Sequence, residues 1–482
     1  MSVVYGEQMS APARRNGDVS FWHASLGAPV PRPPLDGDRE ADVCVVGAGF
    51  TGLWTAYHLT RARPELDVVV LEREQVGFGA SGRNGGWLTA SVAAPRTGGA
   101  ATAAALQRAM QASVADVLAV CTEERIDCDA AVGGVLRFAR NAAQLARLRA
   151  QAAAARAAGA AADELVELDA AALAARVRVA GARGATWTPH GVRIQPAKLA
   201  RSLAEAAERR GVRIYEGTTV RELRPADARG DRVPGAGADR MAAAVSDRGV
   251  VRAPVVLRCL EGFTASLRGE RRLLLPLTSA MVVTEPLPDA AWAAIGWEHA
   301  ELLGDAAHAF VYAQRTADGR IALGGRGSYR YGSRSDDRGR VERRTAAGLT
   351  ARLRELFPAA AGAAIEHAWC GVIGVARDWT ASVHFDPHSG LGTGGGYVGY
   401  GVGAASLAGR TLRDLILREE TELTRLPWVG HRARRWEPEP LRWLGATGIA
   451  ALYRAADRRE SASDSPRTSR LARAADVIAG RS

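Results

Sequence analysis

Residues 41–72 leave this chain little freedom of fold. Ala41-Asp-Val-Cys-Val-Val-Gly47 reads as a buried strand, apolar at nearly every position. It runs into Gly47-Ala-Gly-Phe-Thr-Gly52, a G-x-G-x-x-G turn. Residues 50–62 carry helix spacing, with Leu53, Ala56, Tyr57 and Leu59 on one side. Residues 67–72, Asp-Val-Val-Val-Leu-Glu, are a second apolar strand ending in Glu72. Strand, turn, helix and strand make a βαβ unit, which requires a parallel sheet.

Each part of the unit has a physical task in binding a dinucleotide. Gly47 makes the tight turn, Gly49 lets backbone approach a pyrophosphate, and Gly52 packs helix against strand. The helix N-terminus offers free N–H groups and partial positive charge to phosphates. Glu72 can accept hydrogen bonds from ribose hydroxyls. This unit alone does not separate FAD from NAD. The next segment, Gly77-Phe-Gly-Ala-Ser-Gly-Arg-Asn-Gly-Gly86, favours a flavin. An NAD enzyme would run straight into its next helix, whereas a small-residue loop admits close backbone approach and N–H donors. Ser81, Arg83 and Asn84 are its polar donors.

The rest of the chain predicts an α/β protein with a second, inserted unit. Residues 101–125 and 141–180 are Ala-rich with leucine at helical spacing, and a strand lies at 134–138 between them. A helix over 196–210 leads to strands at 211–215 and 219–223, both expected to return to the first sheet. A Gly/Pro/Asp-rich turn region at 225–241 precedes a hairpin of 243–246 and 250–257. Strands at 276–286, 308–316 and 320–325, the last two joined by Asp318-Gly319, point to an antiparallel sheet. A return to the first unit is expected over 366–418, where a Gly-rich loop enters a helix at 404–417.

Composition narrows the partners. The net charge of +11 would suit an acidic partner. Yet Lys198 is the lone lysine, and eleven arginines against six acids fall between His431 and Ser482. A solvated basic surface with a basic tail, and no nucleic acid, is the reading adopted. The five cysteines have no C-x-x-C spacing, so neither zinc site nor disulfide framework is expected. The nine histidines show no metal-ligand spacing. No apolar run is long enough for a membrane span, and residues 1–40 lack the apolar core of a secretory signal. A cytoplasmic protein without a metal is expected.

The unit at 41–72, with Gly79-Ala-Ser-Gly-Arg-Asn-Gly-Gly86, resembles the D-amino-acid-oxidase-like family of FAD-dependent oxidoreductases. The likeness is to the branch typified by gamma-glutamylputrescine oxidase, over roughly residues 20–445. Supporting pieces are Gly191-Val-Arg-Ile-Gln-Pro196, Asp318-Gly-Arg-Ile-Ala-Leu-Gly-Gly-Arg326, Trp369-Cys-Gly-Val, Arg377-Asp-Trp379 and Gly396-Tyr-Val-Gly-Tyr-Gly-Val402.

The resemblance implies a GR2-like, Rossmann-type FAD-binding domain in three segments, 41–95, 185–270 and 366–420. Residues 96–184 and 271–365 would form the substrate domain of antiparallel sheet plus helices. Residues 1–40 would be a lead-in and 421–482 a basic extension. It implies that Val220 packs near the adenine, and that Gly399, Gly401 and Val402 lie against the flavin ring. The expected cofactor contacts are Gly47, Gly49, Phe50, Thr51, Gly52, Glu72, Arg73, Ser81, Arg83, Asn84, Gly85, Gly86, Val220, Gly371, Gly399, Gly401 and Val402. FAD is expected to be non-covalent. Three departures stand out: Cys259-Leu260 where relatives carry a small Ala-Thr pair, Tyr400 where they carry His or Asp, and Cys370 in place of Gly. A flavin thioether through Cys370 is the minor alternative to a buried thiol.

The implied reaction oxidises the C–N bond of an amine or amino acid to an imine, with electrons passed to O2. A dehydrogenase or a tRNA-modification-type enzyme of the same fold is the alternative. A carboxylate substrate would need a cationic clamp. Arg315 and Arg326 flank the expected hairpin and Arg377 follows Trp369, so these are the candidates. Tyr312 and Tyr400 are expected to line the pocket, and Tyr312, Arg315 and Tyr400 are the expected catalytic set.

Overall fold

The computed structural model describes residues 13–94, 99–226, 241–335 and 337–481. Most of the turn region expected at 225–241, and the first twelve residues of the lead-in, lie outside the described residues. Among the described residues the strands form four sheets.

The βαβ unit anchors a six-stranded sheet. Its order is Arg213–Tyr215, Val68–Leu71, Val43–Val46, Val255–Arg258, Leu391–Gly395 and Ser382–Asp386. All neighbours are parallel except the last pair. Val43 and Val45 face the helices Phe50–Ala62, Pro196–Arg209 and Gly401–Leu417. Cys44 and Val46 face the other way, into the core beneath a four-stranded sheet. Both faces are covered, which is why the strand reads as an unbroken apolar run rather than an alternating one.

The nine-stranded sheet is mostly antiparallel. Its central strands are Ile365–Val375, Leu275–Thr284, Ile321–Arg326 and Val311–Arg315. Thr316 and Arg320 close the Asp318-Gly319 hairpin, with Gly319 at φ +74°. One face packs under Trp292, Trp297, Phe357 and the helix Arg343–Leu356. On the other, Met281, Val283 and Trp369 meet Phe21, Trp22 and Ala197, so the lead-in wedges the sheet against the first unit.

Several expectations need correction. The strand at Val220–Arg224 does not join the parallel sheet; it pairs with Ala242–Ser246 in the four-stranded one. The apolar run 250–257 splits at Pro254, which cannot donate to a ladder. Val250–Ala253 completes the hairpin, while Val255–Arg258 inserts beside Val43–Val46. The helical stretch expected over 141–180 is broken. The helix Ala142–Ala157 stops before Gly159 (φ +91°), and strand Val166–Asp169 precedes a second helix, Ala170–Arg176. The return to the parallel sheet begins at Ser382, because Ile365–Val375 pairs along its length with Leu275–Thr284. The final helix of that unit starts at Gly401, three residues before the expected Ala404.

The basic C-terminal stretch is folded. Helices Leu441–Ser463 and Arg470–Ala479 pack on each other through Ile449, Tyr453, Ala456, Ala472 and Ala475. Glu460 fastens the pair to the body by accepting from Arg147 (2.8 Å) and bonding His308 (3.0 Å). No helix among the described residues is long and apolar enough to cross a membrane.

Candidate cofactor and active site

The C-terminal ends of the parallel strands open onto a long, partly open cavity. Its floor is the predicted glycine turn. Gly47 has φ +108°, and a Cβ there would lie 2.6 Å from the Cys259 carbonyl oxygen. A Cβ on Gly52 would lie 2.1 Å from the Gly47 oxygen, so only glycine lets helix and turn touch. Gly49 is the N-cap of the helix Phe50–Ala62 and supplies no side-chain cap. The Phe50 N–H donates to Ser81 Oγ at 2.8 Å.

Glu72 sits at the end of its strand as expected. Its carboxylate accepts from the N–H groups of Ala48 (2.9 Å) and Glu74 (3.0 Å). Burial raises its pKa, and those N–H bonds offset that only in part. Arg73 lies over the Phe263 ring at 5.2 Å and pairs with Asp337 at 3.2 Å.

At the opposite end a second helix start faces the cavity. Gly401–Leu417 begins after Tyr400, again without a side-chain cap. Gly399 (φ +99°), Gly401, Val402 and Ala405 line the cavity there, beside Val372 and Ile373 of the large sheet. Tyr397 ties the two helix starts together, its hydroxyl 2.9 Å from Thr51 Oγ1. Two helix N-termini whose own N-cap residues supply no side-chain cap, and a carboxylate at the rim, make a chamber shaped for a long, phosphate-bearing ligand.

The cavity wall thus brings together Gly47, Gly49, Phe50, Thr51, Glu72, Arg73, Ser81, Asn84, Val220, Gly399, Gly401 and Val402. Gly52, Arg83, Gly85, Gly86 and Gly371 stand behind that wall. Arg83 is 2% exposed, and its guanidinium donates to the carbonyls of Phe78 (2.6 Å), Asp337 (2.8 Å) and Cys370 (3.3 Å). It holds the glycine loop to the large sheet from behind. Gly85 and Gly86 clear space for side chains, since added Cβ atoms would meet the Tyr312 ring at 2.6 Å and Gln314 at 2.1 Å. A Cβ on Gly371 would meet Arg83 Cβ at 3.3 Å.

The expected catalytic set does not converge on this cavity. The Tyr312 hydroxyl is 2.8 Å from Ser279 Oγ, and its ring packs edge-to-face on Trp87. Arg315 donates to the Trp297 carbonyl at 2.5 Å and lies 4.2 Å over Trp292, so its planar charge is spent on packing. Tyr400 is 38% exposed on the outer side of the loop whose glycines line the cavity. Arg377 pairs with Glu437 and stacks on Trp436. The side chain of Arg326 lies outside the described residues. Cys370 packs with Ala280, Val282 and Ala368 in the core beneath the Arg343–Leu356 helix, away from the cavity wall. Sequence reasoning missed Glu261, Phe263 and Tyr397, which all line the cavity. The signal for Glu261 was present: an acid placed directly after an apolar strand.

Comparison with known proteins settles the family. The DAO model, described as FAD dependent oxidoreductase, matches residues 42–415. The chain belongs to this family. FAD is accordingly its cofactor. The chain is similar to gamma-glutamylputrescine oxidoreductase of Escherichia coli (strain K12), 31% identical over 463 residues, covering 91% of this chain and 98% of that protein. Among solved structures it is similar to glycine oxidase from Geobacillus kaustophilus, with a TM-score of 0.66 at 21% identity, covering 82% of this chain and 99% of the other. L-proline dehydrogenase from P. horikoshii gives a TM-score of 0.64 at 16% identity, covering 82% and 96%. These two likenesses establish the fold.

Proposed function

We propose that this protein oxidises a C–N bond in an amine or amino acid, using non-covalently bound FAD. The observation that carries the reading is the pair of helix starts opening onto one cavity, with Glu72 and Tyr397 fixing the strand ends around it. The similarity to gamma-glutamylputrescine oxidoreductase over nearly the whole chain supports the substrate class.

Gly47, Gly49 and the first turn of the Phe50 helix would hold the pyrophosphate, with Ser81 steadying that turn. Glu72 would accept from ribose hydroxyls, and Val220 would pack beside the adenine. Gly399, Gly401 and Val402 would leave room for the flavin ring. FAD, when bound, supplies the acceptor for a hydride equivalent from the carbon bearing nitrogen. The Gly401 helix start would favour the negative charge that reduction places nearby. The apolar side chains of Val372, Ile373 and Val402 would exclude water from the reacting carbon. A neutral amine gives up its hydride without a strong protein base, so a base dyad is not required. The imine that results is hydrolysed by water to a carbonyl compound and ammonia or a smaller amine. Tyr400, exposed between Gly399 and Gly401, would meet an incoming substrate. We take O2 as the electron acceptor.

Steady-state turnover tests this reading. FAD-loaded protein incubated in air with pools of amines and amino acids should form hydrogen peroxide and a carbonyl product in equal amounts. Carbonyl product that forms only with an added artificial acceptor would replace O2 with another oxidant. No carbonyl product from any amine, with either acceptor, would reject the proposed reaction.

A further inference from the structure

Among the described residues, Glu72 and Glu261 are the two carboxylates that line the cavity. Glu72 has a ready explanation and Glu261 does not. It opens the short turn Glu261–Ser266 after the strand Val255–Arg258, at φ +47°, a backbone conformation that favours glycine. Its Oε2 accepts from the Gly396 N–H at 2.8 Å and its Oε1 from the Tyr397 N–H at 3.2 Å. Two glycines make its seat. A Cβ on Gly374 would lie 2.6 Å from Oε2, and one on Gly395 would lie 3.1 Å from it. The carboxylate therefore joins three separated segments: its own turn, the strand Ile365–Val375 and the loop that begins at Gly396. That loop supplies Gly399, Gly401 and Val402 to the cavity.

We propose that Glu261 is a positioning residue that holds segment 396–402 against FAD and whose own ionisation sets a pH dependence on the flavin's surroundings. The inference rests on the cavity being the flavin site. Burial pushes the Glu261 carboxyl up to about 7, against the pull of its N–H partners. The titratable groups facing it are Cys259 and Tyr397. Burial pushes the Cys259 thiol up to about 12 and raises the Tyr397 phenol well above its ordinary value. Both stay neutral around pH 7. Arg258, on the preceding strand, is engaged by Glu270. From the large sheet and the segment before it, Val372, Gly374 and Leu274 come close, and none of them ionises. Glu261 is thus the group here that changes charge near neutrality. As a raised carboxyl it is neutral below about pH 7 and ionised above it. Ionised, it grips both N–H groups and adds negative charge beside the flavin. Neutral, it does neither fully.

The test uses the full chain loaded with FAD, as wild type and as Glu261→Gln, Glu261→Asp and Glu261→Ala. FAD affinity by fluorescence and the visible flavin spectrum are followed across neutral pH. Wild type should show an inflection in both near pH 7, and Glu261→Gln should abolish it while still binding FAD. Glu261→Asp should keep an inflection. Glu261→Ala removes both acceptors and should weaken FAD binding by about tenfold or more at pH 8. An inflection that survives in Glu261→Gln, or a Glu261→Ala variant with wild-type affinity, would overturn the inference alone. A wild-type chain that takes up no FAD would overturn the cofactor site with it.

Discussion

Replacing Gly52 by alanine should damage FAD binding more than stability. The added Cβ would sit 2.1 Å from the Gly47 carbonyl oxygen and 2.9 Å from Val45 Cγ1. The first of these is backbone, so no rotamer relieves it. The helix start must retreat by about 1 Å to regain ordinary contact, at an overpacking cost of roughly 1–3 kcal/mol. Alanine returns only about 0.5–1 kcal/mol of helix propensity, so the clash wins. The same retreat draws the first-turn N–H groups away from a bound phosphate. A charge-assisted hydrogen bond stretched by about 1 Å is lost, which is worth roughly 1.5–3 kcal/mol. FAD affinity should therefore fall by about ten- to a hundredfold. Fluorescence titration of the apoprotein measures this directly. Gly448→Ala is the control, because nothing lies within 4 Å of its added Cβ on the C-terminal helix pair. It should leave FAD binding unchanged. Wild-type affinity in Gly52→Ala would refute the reasoning that this glycine sets the approach of helix to turn.

Three further outcomes follow from the same geometry. Arg83→Leu leaves the buried carbonyls of Phe78 and Cys370 and the half-buried one of Asp337 without this donor and should cost about 3 kcal/mol, read as a lowered Tm of the apoprotein. Glu460 is held down at about 2: burial acts to raise it, but bonds from His308, the Ser469 N–H and Arg147 outweigh that. Its contribution is complete above the ordinary carboxyl range and is lost as pH falls from about 4.5 towards 2, a loss of about 2 kcal/mol. Hydrogen exchange should accordingly show helices Leu441–Ser463 and Arg470–Ala479 loosening at pH 3, and Glu460→Gln should loosen them already at pH 6. Acid precipitation of the holoprotein should release all its flavin, with Cys370→Ala behaving identically; flavin retained in the pellet of wild type alone would show a thioether.

How much could be read beforehand depended on whether a residue acts locally. Gly47, Gly49, Gly52 and Glu72 sit within one βαβ unit, where spacing alone dictates contact, and the structure puts them together. The strands Val220–Arg224 and Ile365–Val375 were harder. Both read as strands, one by its interleaved Val220 and Leu223 and the other by its apolar run, but burial on either sheet looks the same in sequence. Pro254 was the available sign that the run 250–257 divides, since a proline interrupts a ladder. In sequence, Arg83 and Arg315 read as ligand donors, because an arginine in a glycine loop or on a hairpin can serve that role. Their actual partners, the carbonyls of Asp337, Cys370 and Trp297, are remote in sequence and left no local trace. Glu261 shows the reverse. The acid was conspicuous, but its meaning depended on Gly374, Gly395 and Gly396, which only the fold brings to it.

The most direct test of the central claim is anaerobic reduction of the FAD-loaded protein. The oxidised flavin band near ~450 nm is followed while amines and amino acids are added without oxygen. Bleaching by one class of amine, with one carbonyl formed per flavin reduced, is the predicted result. A flavin band unmoved by any amine or amino acid, yet bleached by a donor without a C–N bond, would contradict it.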